Sequence, residues 1–311
     1  MTSVLRVIKP GQLTTVQDLG RPNAIPSGVP PGGAMDRFAH SAANLLVGND
    51  PGAATLECTL TGPQLVAEQS CVVAITGADF DPRVNDQPEP MWAAVFMGEG
   101  DRLTFGGRRM GARAYISVAG GVAADRWLGS LSTNLMAERG GMRGRTLEAG
   151  DVIQVAGEPA RSPVSAHSLR EDLRPEYRDH TLHAIPGPHI ERLGAEGRGA
   201  LFGSVFTVSR HSDRMGYRLE GPHLDASGDE LLSFGLAAGA IQVPQSGQPI
   251  LLMADHQTAG GYPVVATVVS ADLPIAAQFM PGDELRFEEI TLDRALQMRL
   301  TQRATLDSLR S

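Results

Sequence analysis

Lysine is almost missing from this chain. Of 27 basic residues among 311, Lys9 is the only lysine and the rest are arginines. A phosphate-binding Gly-Lys-Ser/Thr loop is therefore excluded, and no G-x-S-x-G or helix-opening G-x-G-x-x-G occurs. A Schiff base or Ser-Lys amidase centre would have to use Lys9, which sits in a Lys-Pro-Gly turn, and no lysine suits a biotin-bearing hairpin tip. Cysteine is nearly as scarce. Cys58 and Cys71 form no CxxC, which predicts buried thiols in a reducing compartment and not a disulfide framework. Net positive charge is lacking too: at −8 the chain has no general attraction to nucleic acid or to an anionic membrane. The longest apolar stretch, 231–243, is interrupted by glycines, stops at Pro244 and falls short of the roughly 20 residues a membrane span needs. Residues 1–9 show no apolar core followed by a small-residue cleavage site. The expected location is the cytoplasm.

What is present is globular: 42% hydrophobic and 20% charged residues. Short runs rich in Val, Ile, Phe and Tyr, bounded by Gly, Pro and Asp, dominate. Examples are SVLRVI, QLVAEQ, CVVAITG, RLTFGG, AYISVAGG, DVIQVAG, VFTVSR, PILLMAD, PVVATVV and ELRFEE. Their spacing predicts barrels or sandwiches, not alternating βαβ units. Two helices are expected. One lies in MDRFAHSAANLLVGND, with Asp36 near its start and Gly48 at its end; the other is the tail from Thr291 to Leu309. The tail carries Leu292, Leu296 and Leu300 on one stripe and reads as a packing element.

The polar, proline-bearing stretch 157–182 predicts a linker. On either side runs an echo. LVAEQSCVVAITGADF resembles IQVPQSGQPILLMADH, each ending near an aspartate, Asp79 or Asp255, and EGDRLTF resembles PGDELRF. The expectation is an N-terminal β-barrel domain over 1–160, a second over 180–290 and a C-terminal helix over 291–311. A cleft between related halves is a natural place for a site.

Three constellations could carry chemistry. The stretch 14–36 holds Gln17, Asp18 and Arg21, then Gly32-Gly33 and Asp36. It is either a loop whose backbone amides approach a ligand or a structural loop in which Asp36 caps a helix. FTVSRHSDRMGYRLEGP carries Asp213, Arg214, Gly216, Tyr217 and Arg218. It is either an exposed ion pair or a loop that binds a carboxylate or carbonyl. LLMADHQTAGGYPVV brings Asp255, His256 and Gln257 to a strand end before Gly260-Gly261. Asp255 and His256 are either a proton-transfer pair, which needs a local bend, or a strand end with Asp255 accepting backbone bonds. His180, His183 and His189 lack a carboxylate at ligand spacing, so no metal is expected.

The ordered set VQDLGRP, GVPPGGAMD, ITGADF, AYISVAGGV, LEAGD, SDRMGYRLEGP, ADHQTAGGYPVVATV, DLPIAAQ and PGDELRF resembles the biotin-dependent carboxyltransferase family, over about residues 4–290. That family includes 5-oxoprolinase-type and urea amidolyase-related proteins. The resemblance implies a mainly β fold with two cyclophilin-like β-barrel domains and a few helices. It implies an enzyme subunit, inactive alone, for ATP-dependent opening of 5-oxoproline to glutamate, with cognate B-type and A-type 5-oxoprolinase subunits as partners. The alternatives are carboxyl transfer from a partner's carboxybiotin to urea or a related amide, and a regulatory protein that antagonises a kinase inhibitor. Either reaction handles a planar amide, lactam or ureido group. The resemblance gives Arg214 and His256 as donors and Asp255 as acceptor or base. Gln257, Thr258, Tyr262, Asp213, Tyr217, Gln17, Asp18 and Asp36 are the substrate-binding candidates. Three positions depart from the family pattern: Gly32 stands for Ser, Leu131 for Arg and Ala259 for Thr. The missing Arg predicts an altered anion contact.

Overall fold

The computed structural model describes residues 1–157, 168–226 and 228–310. Residues 158–167 of the expected linker lie outside the described residues, while 157 and 168–182 are described. The chain divides into two compact units. One comprises Met1–Arg21, Gly32–Pro175 and Ala304–Ser311, the other Pro22–Pro31 and Glu176–Arg303. The loop expected between Gln17 and Asp36 is thus shared between the two units. The fold is mainly β, with a closed seven-stranded barrel and further sheets.

The first unit contains two sheets. In the six-stranded sheet the neighbours run Val152–Val155, Thr2–Lys9, Gln64–Ala67, Arg102–Phe105, Pro82–Val84 and Gln87–Pro88. In the five-stranded sheet they run Leu13–Gln17, Thr55–Thr59, Met110–Val118, Cys71–Asp79 and Ala94–Met97. One core takes side chains from both, including Leu5, Leu65, Ile153, Val73, Ile75 and Ile116. Cys71–Asp79 reads as an unbroken apolar run because both its faces are covered, and only Asp79 at its end is half-exposed. Gly77 has φ +80°, and a Cβ there would stand 2.4 Å from the Arg113 carbonyl oxygen. The register with Met110–Val118 slips at this point, so the glycine marks a bulge. Both cysteines are buried and free; burial pushes the Cys58 thiol up to about 12 and the Cys71 thiol up to about 11.

Helix α1, Arg37–Leu46, packs on this unit. Asp36 is its N-cap: the side chain accepts from the Ala39 N–H at 2.8 Å. Gly48 follows in the left-handed region, φ +78°.

The second unit is the closed barrel, in the order Thr181–Pro186, Val264–Val268, Ala240–Gln242, Ile250–Leu252, Gly216–Glu220, Val205–Val208 and Glu284–Glu289. Pairing is antiparallel except where Glu284–Glu289 runs parallel to Thr181–Pro186 and closes the barrel. Alternation sets the faces: Leu285 and Phe287 are buried, while Arg286 and Glu288 face solvent. Helices α2, Gly194–Gly203, and α3, Leu273–Ala276, lie on this unit, and α4, Leu292–Asp307, ends the chain. No helix among the described residues is long and apolar enough to cross a membrane.

Two expectations need correction. The tail helix forms, but the expected stripe does not pack: Leu292, Leu296 and Leu300 are 60%, 47% and 64% exposed. The half-buried residues of α4 are Ala295, Met298, Gln302, Thr305 and Leu306, spaced three or four apart, so a different face is turned inward. The strand echo also fails in its pairing. Gln64–Ala67 and Cys71–Asp79 belong to different sheets, whereas Ala240–Gln242 and Ile250–Leu252 are hydrogen-bonded neighbours.

Candidate functional site

In the second unit the strand Ile250–Leu252 ends and the chain enters a turn at Ala254-Asp255. A second turn, 213–215, lies alongside. Backbone bonds tie them: the Met253 N–H donates to the Met215 carbonyl at 3.1 Å and the Asp255 N–H to the Arg214 carbonyl at 2.9 Å. The side chains repeat the tie. Arg214 Nε donates to Asp255 Oδ2 at 2.8 Å and Nη2 to Oδ1 at 3.3 Å. This is the two-pronged guanidinium–carboxylate geometry. The two side chains are 12% and 20% exposed, so the pair is partly desolvated and still reachable. A carboxylate offers about four acceptor positions; Arg214 takes two, which leaves Asp255 able to accept from an amide N–H.

Asp255 and His256 do not pair with each other. The turn gives them different partners: His256, only 2% exposed, contacts the Gln257 carbonyl through Nδ1 at 2.7 Å. A carbonyl can only accept, so Nδ1 carries a proton and donates in this contact. Asp213 is absorbed locally, its Oδ1 accepting from the Met215 N–H at 2.7 Å and, more weakly, the Gly216 N–H at 3.3 Å. That fixes the turn presenting Arg214. Tyr217 is buried. It lies on the same strand face as Leu219 and is 2% exposed, part of the barrel core.

Beyond the turn, Gln257 is exposed, and the Thr258 carbonyl accepts from the Leu236 N–H at 3.0 Å. Ala259–Gly260 then pairs with Phe234–Gly235. The two glycines do not serve a left-handed turn, since neither has a positive φ. A Cβ on Gly260 would stand 2.7 Å from Nε2 of the exposed Gln257 side chain, and one on Gly261 3.0 Å from the Leu231 carbonyl oxygen, so both positions are close-packed. Tyr262 follows, 47% exposed, on the wall of a cavity of about 780 Å³ with Arg192, His223, Asp225, Asp229 and Pro263. The sequence had no motif to mark Arg192 or His223. The cavity forms because the loop around 223–233 folds over the turn at 243–245 and Gly261.

The candidates of the first unit bond to side chains and backbone of that unit. Asp18 is 9% exposed. Its Oδ1 accepts from the Ser130 and Ser132 hydroxyls at 2.6 Å each and from the Gly20 N–H at 2.7 Å; its Oδ2 accepts from the Leu131 N–H at 2.6 Å. Burial pushes its carboxyl up, but these four donors outweigh it and hold the group below the usual carboxylate range. Leu131, where the family pattern has Arg, serves Asp18 through its backbone, and its side chain packs on the core. Gln17 is 1% exposed, with Nε2 on Thr15 Oγ1 at 3.0 Å, and its Oε1 has no hydrogen-bond partner. Arg21 donates to the Ser132 carbonyl and lies over the Trp127 ring, 4.9 Å from its centroid. Asp36 is the helix cap, and its N–H donates to Tyr115 Oη at 2.8 Å, which in turn donates to Glu57 at 2.7 Å. Gly33 is glycine because a Cβ would stand 2.8 Å from the Gly20 nitrogen. Gly32, φ +63°, sits where a serine would be strained.

The three histidines near the linker have partners other than a metal. His180 contacts the Glu284 carbonyl, His183 contacts Asp272, and His189 accepts from the Val264 N–H. Among the described residues, no three His, Cys, Asp or Glu side chains gather as metal ligands.

Residues 27–289 match the model of the family described as carboxyltransferase domain, subdomain A and B. The chain is 38% identical to the C subunit of 5-oxoprolinase from Escherichia coli K12, over 98% of this chain and 97% of that protein. It is 35% identical to the C subunit of 5-oxoprolinase from Haemophilus influenzae, over 95% and 94%. The structure of the K. lactis urea amidolyase superposes with a TM-score of 0.92 at 29% identity, covering 99% of this chain but 20% of that one. With this sequence match and this shared architecture, the chain belongs to the carboxyltransferase-domain family, subdomains A and B.

Proposed function

We propose that the chain is the C-type subunit of an ATP-dependent 5-oxoprolinase, inactive alone and acting with B-type and A-type partner subunits. The observation that carries this reading is the near end-to-end match to proteins named as the C subunit of 5-oxoprolinase, against a match to a fifth of the K. lactis urea amidolyase. The site supports it chemically. A lactam presents one carbonyl oxygen and one N–H. The Arg214 guanidinium raises the positive potential beside Asp255, and Asp255 offers acceptor positions for the N–H. The His256 ring, held by its Nδ1 contact with the Gln257 carbonyl, lies next in sequence.

ATP is the co-substrate this reaction uses, and no Gly-Lys-Ser/Thr phosphate loop is present for it on this chain. The chain has no phosphate-cradling lysine loop, and Lys9 ends a strand of the first unit. In this reading ATP enters the reaction through the assembly. Carboxyl transfer to urea is the second reading, favoured by the urea amidolyase likeness. A ureido group has the same planar N–H and carbonyl edge, so the Arg214–Asp255 pair fits that substrate equally. When bound, a partner's carboxybiotin would supply an activated carboxyl group. The discriminating experiment is phosphate release with 5-oxoproline and with urea, using the chain alone and with its partner subunits. The proposal requires activity with 5-oxoproline only in the assembly. Full activity of the isolated chain, or turnover of urea alone, overturns it.

A further inference from the structure

We infer that Gln257 is the donor to the substrate's carbonyl oxygen, and that position 260 is a glycine so that the Gln257 carboxamide can lie in place. The inference rests on the lactam or ureido reading of the site above and adds the group which that reading leaves unassigned. A lactam that gives its N–H to Asp255 still needs a donor for its carbonyl oxygen. The neighbouring donors are engaged. Arg214 gives Nε and Nη2 to Asp255, and His256, 2% exposed, gives Nδ1 to the Gln257 carbonyl. Gln257 differs from both. It is exposed, it stands two residues past Asp255, and among the described residues its carboxamide has no hydrogen-bond partner. A primary carboxamide carries two N–H donors on one nitrogen. Residues two apart in the chain have Cα atoms at most about 7 Å apart, a span that one amide with a hydrogen bond at each end can bridge.

The place of this donor is set by a missing side chain. The point where a Cβ on Gly260 would stand is 2.7 Å from Gln257 Nε2, 3.1 Å from Leu236 Cδ1 and 3.4 Å from Gln242 Nε2. The Gln257 amide therefore rests against the Gly260 backbone, beside a leucine methyl and a second amide. The other members of this seat are fixed. Gly260 pairs with Phe234, and Leu236 is 8% exposed. Gln242 is 1% exposed, ends the barrel strand Ala240–Gln242 and reaches the Tyr262 carbonyl through Nε2 at 3.4 Å. A flexible side chain that leans on a rigid surface loses less freedom when it binds. Gly260 has no positive φ, so an alanine meets no backbone strain there. What it meets first is the far end of an exposed glutamine, which can move aside. The fold should tolerate the methyl group, and the donor should shift.

The test uses the assembled enzyme with 5-oxoproline and with urea, and reads kcat, KM and melting temperature. Gln257→Glu keeps the length of the side chain and removes both donors. The melting temperature should hold and kcat should fall by about 10²-fold or more, the scale of losing one donor to a developing oxyanion. Gly260→Ala should lower kcat by about 10-fold to 10²-fold, the scale of a misplacement of about 1 Å. The two effects should not multiply: Gly260→Ala with Gln257→Ala should be no slower than Gln257→Ala alone. Losses that multiply, or an early melt caused by Gly260→Ala in both backgrounds, overturn the part given to Gly260. Turnover of 5-oxoproline within a few-fold of the parent in Gln257→Glu and Gln257→Ala overturns the donor and leaves the lactam reading intact. Turnover of urea alone by the parent overturns the 5-oxoproline reading, while a 10²-fold loss on urea in Gln257→Glu still supports the donor. A parent assembly that turns over neither substrate overturns both.

Discussion

Asp18 and Asp255 are the same residue type in two different situations. Asp18 receives four hydrogen bonds from neighbours of its own unit and is nearly sealed. Asp255 receives its side-chain bonds from Arg214 and keeps a fifth of its side-chain surface exposed. The first arrangement saturates a carboxylate and makes it a knot between the segment at 18–20 and the segment at 130–132. The second holds a carboxylate in place and leaves acceptor capacity over. A buried, fully bonded aspartate contributes to folding; a half-open one held by a guanidinium is placed to meet something else.

The comparison sharpens most where it predicts opposite outcomes. Asp18→Asn replaces an acceptor of four bonds with an amide that must turn one donor toward donors. The cost is several kcal/mol, on the order of 3, since bonds to a charged group are worth about 1.5–3 kcal/mol each. Denaturant unfolding measures it. A loss within a few tenths of a kcal/mol would break the contrast.

A second test is acid sensitivity. Burial drives the His40 imidazole down to about 4, with Asp18 opposing and Arg37 adding to the shift. The unfolded chain titrates this histidine near 6.5, so between about 6.5 and 4 the unfolded state binds the extra proton. Stability is complete above that window and falls as pH drops through it, by roughly 3 kcal/mol in all. Asp18 adds a further loss below the ordinary carboxylate pKa, because its folded value is depressed. In His40→Asn the loss between pH 6.5 and 4 should shrink, as followed by unfolding at a series of pH values; an unchanged profile refutes the assignment.

These contrasts were only partly legible in the sequence. The strand runs were, because alternation and β-branched content survive in any register. The turn before two strands was too, in EGDRLTF and PGDELRF, and the same Gly-Asp turn recurs in AGD. In each, the aspartate side chain accepts from the N–H three residues back, Gly98, Met280 or Glu148, and the glycine before it has φ near +90°. That shared turn accounts for the likeness of EGDRLTF and PGDELRF. The fate of the polar candidates was not legible. Asp18 and Asp255 each sit at the end of an apolar stretch, and only the partners, Ser130 and Ser132 about 110 residues on or Arg214 about 40 residues back, separate a knot from an open pair. The exposed leucines of α4 read as a core stripe because periodicity shows a face but not what covers it.

Smaller effects refine the open side. Arg214→Lys keeps charge and loses the fork; turnover of the assembly should fall about 10-fold, with a stability change within about 1 kcal/mol. A change in stability alone would move Arg214 to the structural side with Asp18. Tyr262→Phe removes one exposed hydroxyl from the wall of the 780 Å³ cavity. It should leave stability within about 0.5 kcal/mol and change the KM for the lactam by a few-fold. No change in KM would separate that cavity from the substrate's path.

The most direct measurement is the pairing of melting temperature with 5-oxoproline-dependent phosphate release for Asp255→Asn in the assembled enzyme. The account predicts a nearly normal melting temperature and activity lower by about 10²-fold or more. A variant that melts early, as Asp18→Asn should, or that turns over within a few-fold of the parent, would contradict it.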